Sequence, residues 1–216
     1  TYIADVRYLL LDPSVRFHIR EVVLGWLATV EDPMEAEWEA LDELLQAAGP
    51  VAPRVWAAIS GPAWFAFLAK KGLIHRWLAD EATARPALDI IAAGQSASPD
   101  VAAKLLAGYR ERSPDATNDV ADVLQRSNLA DSRETFDLFL ALLESDDPSL
   151  GYRDFFFLAH DLHEKQPAWG CELIGAYLRN RLRAADAAEV VNPFGFAEPI
   201  IPRQLHVHSL VDGSAR

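Results

Sequence analysis

The sequence predicts an all-α protein of stacked antiparallel helix pairs, an α-solenoid that ends in a short non-helical tail. Three observations carry that expectation. Half of the residues are hydrophobic and Ala and Leu are abundant, whereas Val, Ile and Thr are comparatively sparse, which favours helices over sheets. Apolar residues recur at helical spacing between polar breaks that contain proline. The breaks are themselves regular: Pro13 to Pro33, Pro99 to Pro114 and Pro148 to Pro167 are each one helix plus a turn apart. Two such units make a hairpin of ~35–40 residues, the period of helical repeats. A globular helical bundle is the alternative that the same pattern leaves open.

The clearest element is expected from Asp12 to Val30, with Asp12 as N-cap and Pro13 at the first helical position. Val15, Ile19, Val22, Val23, Trp26, Leu27 and Val30 then form one apolar stripe, expected to face inward. Asp32-Pro33 opens a second helix with Met34, Trp38, Leu41, Leu45 and Ala48 inward, closed by Gly49-Pro50. A shorter helix over residues 51–59 follows, then an aromatic stretch at Trp64, Phe65 and Phe67. Pro86 is expected to break or kink the chain between Leu73 and Ala93. Ser98-Pro99-Asp100 starts a helix through Arg112, and Ser113-Pro114-Asp115 another through Arg126. Ser132 caps a helix with Phe136, Phe139, Leu140 and Leu143 on one face. Asp147-Pro148 and Gln166-Pro167 open the last two, which end near Ala188. The expected organisation is therefore a helical-repeat domain over residues 1–189 and an extended tail, or the start of a further segment, over residues 190–216. Pro193, Pro199 and Pro202 bar helix in that tail.

Charge and cysteine usage narrow the function. A formal net charge of −12 repels phosphate backbones, so nucleic acid is not an expected partner. No apolar run approaches the ~18–20 residues that span a bilayer, so no membrane role is expected either. Cys171 is the only cysteine, which excludes an internal disulfide and favours a reducing, cytoplasmic setting. The chain begins at Thr1 and is expected to be a piece of something longer.

Leu9-Leu10-Leu11-Asp12-Pro13-Ser14-Val15-Arg16 resembles a HEAT repeat, in which a first helix ends in leucines, an Asp-containing turn follows, and Val-Arg begins the second helix. The resemblance covers roughly the first 50 residues and implies that Asp12 and Arg16 make polar contacts between neighbouring repeats. At Asp147-Pro148-Ser149-Leu150 the phrase returns, but Leu150-Gly151-Tyr152-Arg153 replaces Val-Arg. Residues from Arg16 to Ile19 and Arg20, through Trp26-Leu27-Ala28 to Asp32-Pro33, also look like the helical region of large bacterial signalling NTPases of the STAND type. That likeness implies a sensor or scaffold role, with any nucleotide chemistry outside this chain, because no Gly-x-x-x-x-Gly-Lys-[Ser/Thr] occurs in it.

Candidate sites are few. Acids crowd the stretch from Glu31 to Glu43 with no base among them. Glu35, Glu39, Asp42 and Glu43 share a helix face that is either merely solvated or a docking surface for a protein partner or another domain of the same polypeptide. His160 and His163, with Glu164, lie within reach of one helix face and offer a metal-dependent or small-molecule enzyme as the rival reading. Paired histidines at this spacing are also a common accident on a polar helix face. His206 and His208 share a face if the tail is extended. Cys171 is near a helix start, where a thiolate is favoured, but a lone cysteine is more often a small core residue. Arg179 and Arg183 share a face while Arg181 points elsewhere, which makes a poor phosphate clamp. Phe155-Phe156-Phe157 is expected inside the stack. No hydrolase, zinc-protease, calcium or dinucleotide signature is present, so the expectation is a non-catalytic scaffold or sensor module with no cofactor.

Overall fold

A computed structural model gives the structure of residues 2–47, 51–145 and 155–187, with the side chains at 155–157, 181 and 184–187 left aside. The expectations for Ala48 and Gly49-Pro50, for the helix start at Asp147-Pro148 and for the tail lie outside the described residues, as do the side chains of Phe155, Phe156 and Phe157. Among the described residues the chain is all-helical, without a strand. No described helix is long and apolar enough to cross a membrane.

The chain divides into two compact units, Thr1–Ser113 and Pro114–Arg216. The first contains α1 (Tyr2–Leu11), α2 (Phe17–Leu27), α3 (Glu35–Gln46), α4 (Ala52–Ala58), α5 (Pro62–Lys70), α6 (Leu73–Trp77), α7 (Glu81–Gly94) and α8 (Pro99–Arg112). The second contains α9 (Thr117–Gln125), α10 (Arg133–Glu144), α11 (Phe155–Lys165) and α12 (Pro167–Ala187). Helices two apart in sequence pack side by side: α1 on α3, α2 on α4, α5 on α7, α6 on α8 and, in the second unit, α10 on α12.

The first break differs from the sequence expectation. Leu9, Leu10 and Leu11 end a helix, and residues 12–16 form a turn before α2 begins at Phe17. Asp12 does not cap α2. Its carboxylate accepts from the Ser14 amide at 2.8 Å and the Ser14 hydroxyl at 2.5 Å, closing an Asx turn around Pro13. The Ser14 hydroxyl and amide together hold that carboxyl below its ordinary pKa. The turn is short and polar because it must reverse the chain between two packed helices.

The inward stripe also differs. Val23, Leu24 and Leu27 are buried, whereas Val22 is 70 % exposed and Trp26 44 % exposed. Seven consecutive positions of α2 include five large apolar side chains, more than one helix face can bury. Packing selects the arc centred on Val23 and Leu27 because α1 and α4 lie on that side.

Elsewhere local chemistry sets the element ends, as expected at Ser132, Pro99 and Pro167 and, without a signal read from the sequence, at Asp80 and Gly72. Asp80 caps α7 by accepting from the Ala82 amide at 3.0 Å, and Ser132 caps α10 by accepting from the Thr135 amide at 3.2 Å. Pro99 and Pro167 stand first in α8 and α12, where a missing N–H costs nothing. Pro86 sits inside α7 without ending it. Gly72 separates α5 from α6 at φ 70°, in the left-handed region that glycine enters without a steric penalty.

The core of the first unit is aromatic. Trp64 and Phe65 are fully buried on α5, and the Trp64 indole N–H donates to the Leu27 carbonyl at 2.8 Å. Trp77 of α6 meets Trp38 of α3 at 5.6 Å and Trp56 of α4 edge-on at 4.9 Å. Such pairs add ~0.5–1.5 kcal/mol beyond the area they bury. Gly94 lets α7 approach α5: a Cβ there would stand 2.2 Å from the Phe65 Cβ. In the second unit Gly170 does the same, since a Cβ would fall 2.7 Å from the His163 backbone.

Gly94→Ala should therefore destabilise the chain by ~1–3 kcal/mol despite the higher helix propensity of alanine. Gly25→Ala, at a position where a Cβ meets nothing within 4 Å, should be neutral or stabilising. Urea denaturation of the two variants checks this, and equal midpoints would contradict the packing described here.

Candidate interaction surface

The acidic row on α3 is engaged with its neighbours. Glu35 pairs with Lys71 at the end of α5, and Glu43 pairs with Arg7 of α1. Asp42 accepts from the Gln46 side chain at 2.8 Å. Glu39 is exposed between them. All these pairs are substantially solvated, so each is worth at most ~1 kcal/mol.

Glu37 is different, because its side chain is buried. One carboxylate oxygen accepts from the Tyr2 hydroxyl at 2.7 Å and the other from the Met34 amide at 3.0 Å. The second bond satisfies an orphan donor at the start of α3, one half of a capping box. The first ties α1 to α3. Burial of the hydroxyl, then the hydrogen bond and the negative charge of Glu37, push the Tyr2 phenol up to about 12.

Asp12 and Arg16, the residues expected to link repeats, stand at the two ends of the turn between α1 and α2. Asp12 binds Ser14 through its carboxylate, and its carbonyl accepts from the Arg20 guanidinium at 2.7 Å. Arg16 is exposed and stands at the N-cap position of α2.

The histidine pair on α11 faces two ways. His160 stands 3.5 Å from Glu164, while His163 Nδ1 lies 3.3 Å from the Pro167 carbonyl oxygen. Among the described residues no group of three or more His, Cys, Asp or Glu is gathered as metal ligands would be. Cys171 is exposed with a free thiol. Arg179 pairs with Glu144 at 2.6 Å. His206 and His208 lie outside the described residues.

The feature that the sequence pattern hid is the outer face of α2. Ile19, Val22 and Trp26 are exposed there, and the Tyr2 ring meets Trp26 edge-on at 5.3 Å. Beside this ridge, α2 and α4 enclose an open groove of about 220 Å³. Leu24, Gly25, Ala28, Ala57 and Ala58 line it, with Glu21 and Arg54 across its mouth at 3.2 Å. The small residues at Gly25, Ala28 and Ala57 keep the floor low. A surface of this kind can take an apolar side chain and carries no reactive group. Its one sequence signal is the excess of apolar residues on α2 combined with Gly25 in mid-helix.

Comparison of the chain with protein-family models, with curated proteins and with solved structures finds no match.

The Tyr2–Glu37 bond has a pH signature. Tyr2 keeps its proton in the fold above the usual phenol value of about 10. Its contribution to stability is therefore complete below pH 10 and is lost as the pH rises from there through about 12. Ultraviolet titration of the native chain should show a phenol that ionises near 12, and Tyr2→Phe should remove that step. An unchanged titration in the variant would contradict the bond.

Proposed function

We propose that this chain is a non-catalytic helical-repeat scaffold or sensor module, and that it binds a protein partner, or another domain of the same polypeptide, through the outer face of α2. The observation that carries this reading is the exposure of Ile19, Val22 and Trp26 beside an apolar-floored groove. Isolated apolar residues on a surface need no explanation, but a contiguous set beside a groove is what interaction sites present. The partner segment best suited to it is a helix with an apolar stripe, since α4 offers that same shape to the neighbouring flank of α2.

The α-solenoid architecture belongs to the same proposal. The side-by-side packing of alternate helices, α1 on α3 and α2 on α4, supports it, because stacked hairpins place like helices in one layer. A chain with Cys171 as its only cysteine has no internal disulfide to form, in keeping with a cytoplasmic setting.

The acidic row on α3 supports docking less well, because Glu35 and Glu43 are already paired. Reversing them would set Lys71 and Arg7 against new lysines and lower stability as well as binding. Glu39→Lys alone is the clean probe of charge at that face.

The test is affinity capture with the wild-type chain, with Val22→Glu/Trp26→Glu and with Glu39→Lys, followed by calorimetry on the purified partner. The expected result is one partner that binds the wild type and Glu39→Lys alike and binds the double variant at least ~tenfold more weakly, a loss of ~1.4 kcal/mol. Equal binding by all three, or a stoichiometric metal found by elemental analysis of the purified chain, would overturn the proposal.

A further inference from the structure

The outer face of α2 carries a ridge and a recess side by side. Ile19, Val22 and Trp26 recur at i, i+3 and i+7, along one flank of the helix. Gly25 and Ala28 lie on the adjoining flank, where they line the groove together with Ala57 of α4. Val22 and Gly25 are three residues apart and therefore neighbours on the helix surface, so the ridge borders the recess. A Cβ at Gly25 would meet nothing within 4 Å, which leaves the α2 backbone open to close approach there.

We propose that this face receives a second copy of itself, α2 against α2 about a two-fold axis. The proposal rests on the reading of the α2 face as an interaction site and names its occupant. An isologous contact requires a surface complementary to itself. A two-fold axis that passes between Val22 and Gly25 exchanges the two flanks of the helix. It thereby lays the ridge of each copy over the recess of the other. The occupant suited to the groove is a helix with an apolar stripe, and α2 itself presents one.

Charge permits the approach. Glu21 and Arg54 are paired at 3.2 Å across the groove, so its mouth brings no net charge to the contact. The whole chain carries −12, so two copies repel at long range and the apolar contact must hold them. Salt screens that repulsion and should tighten the pair. Size sets the strength. An 11-residue helix is roughly 16 Å long, and the distance from the Tyr2 ring across α2 to α4 is roughly 25 Å. Two such faces cover each other over roughly 800–1,000 Å² in total, at the threshold for a specific interface, which fits a dimer of micromolar strength.

Sedimentation equilibrium of the full chain tests this, alongside Val22→Glu, Gly25→Leu and Leu178→Ser/Leu182→Ser. Val22→Glu breaks the ridge and Gly25→Leu fills the recess. Both substitutions fall where the fold has room, and circular dichroism and thermal melting check that each variant is folded. The wild type is expected to reach the mass of two chains by ~100 µM. Each α2 variant should raise the dissociation constant at least ~tenfold, the α12 variant should leave it unchanged, and added sodium chloride should lower it for the wild type. A wild type that stays monomeric at that concentration would overturn the self-pairing, while the α2 face would stand as a site for a different protein if affinity capture finds one. Dimers that survive both α2 variants, or that only the α12 variant dissolves, would place the contact elsewhere and overturn it as well. Dimers that salt weakens would show an ionic contact and not this apolar one.

Discussion

The hydrogen bond from the Trp64 indole to the Leu27 carbonyl organises the first unit. Leu27 is the last residue of α2, and its carbonyl accepts from the Val30 amide at 3.2 Å in the turn that follows. A buried indole N–H left without an acceptor costs ~1–3 kcal/mol. Trp64, fully buried on α5, finds its acceptor in that same carbonyl at 2.8 Å and brings the largest side chain available into the space beneath α2. With Leu27 held there, Val23 and Leu24 must also point inward, and Val22 and Trp26 are turned to the outside. The open apolar face is thus a consequence of how the core is satisfied.

Close backbone approach is the second constraint, and glycine meets it in both units. Gly94 brings α7 against Phe65, and Gly170 brings α12 against His163. The latter also explains why the α11 histidines do not converge. His163 is pressed toward the start of α12, where its ring reaches the Pro167 carbonyl oxygen, while His160 points along α11 toward Glu164. Spacing along a helix places two side chains on neighbouring arcs. What they can reach is then decided by the helix packed against them.

Where an element end depends on local chemistry, the sequence was legible. Ser98-Pro99-Asp100 opens a helix that runs to Arg112, and Ser132 caps α10 with Phe136 and Phe139 buried below it. Asp12 misled because Asp-Pro reads equally as a helix start and as a turn, and the choice fell to Ser14, whose amide and hydroxyl capture the carboxylate. The face of α2 was illegible for a different reason. Ile19, Val22, Val23, Leu24, Trp26 and Leu27 cover too much of the circumference to mark one inward side, and only Trp64, 37 residues from Leu27, makes the choice. The ion pairs of the acidic row were hidden in the same way, since Arg7 and Lys71 come from other helices. Long-range contacts of this kind leave no trace in local periodicity.

Adjacent valines offer the most direct test of that account. Val22 is 70 % exposed and Val23 9 %, although they are neighbours of identical chemistry on one helix. Thermal unfolding of Val22→Asp and Val23→Asp measures the orientation of α2 with nothing else changed. The account predicts that Val22→Asp melts within ~2 °C of the wild type, as surface substitutions do, while Val23→Asp loses ~10 °C or more through a buried, unpaired carboxylate. Equal losses, or the larger loss at Val22, would contradict it.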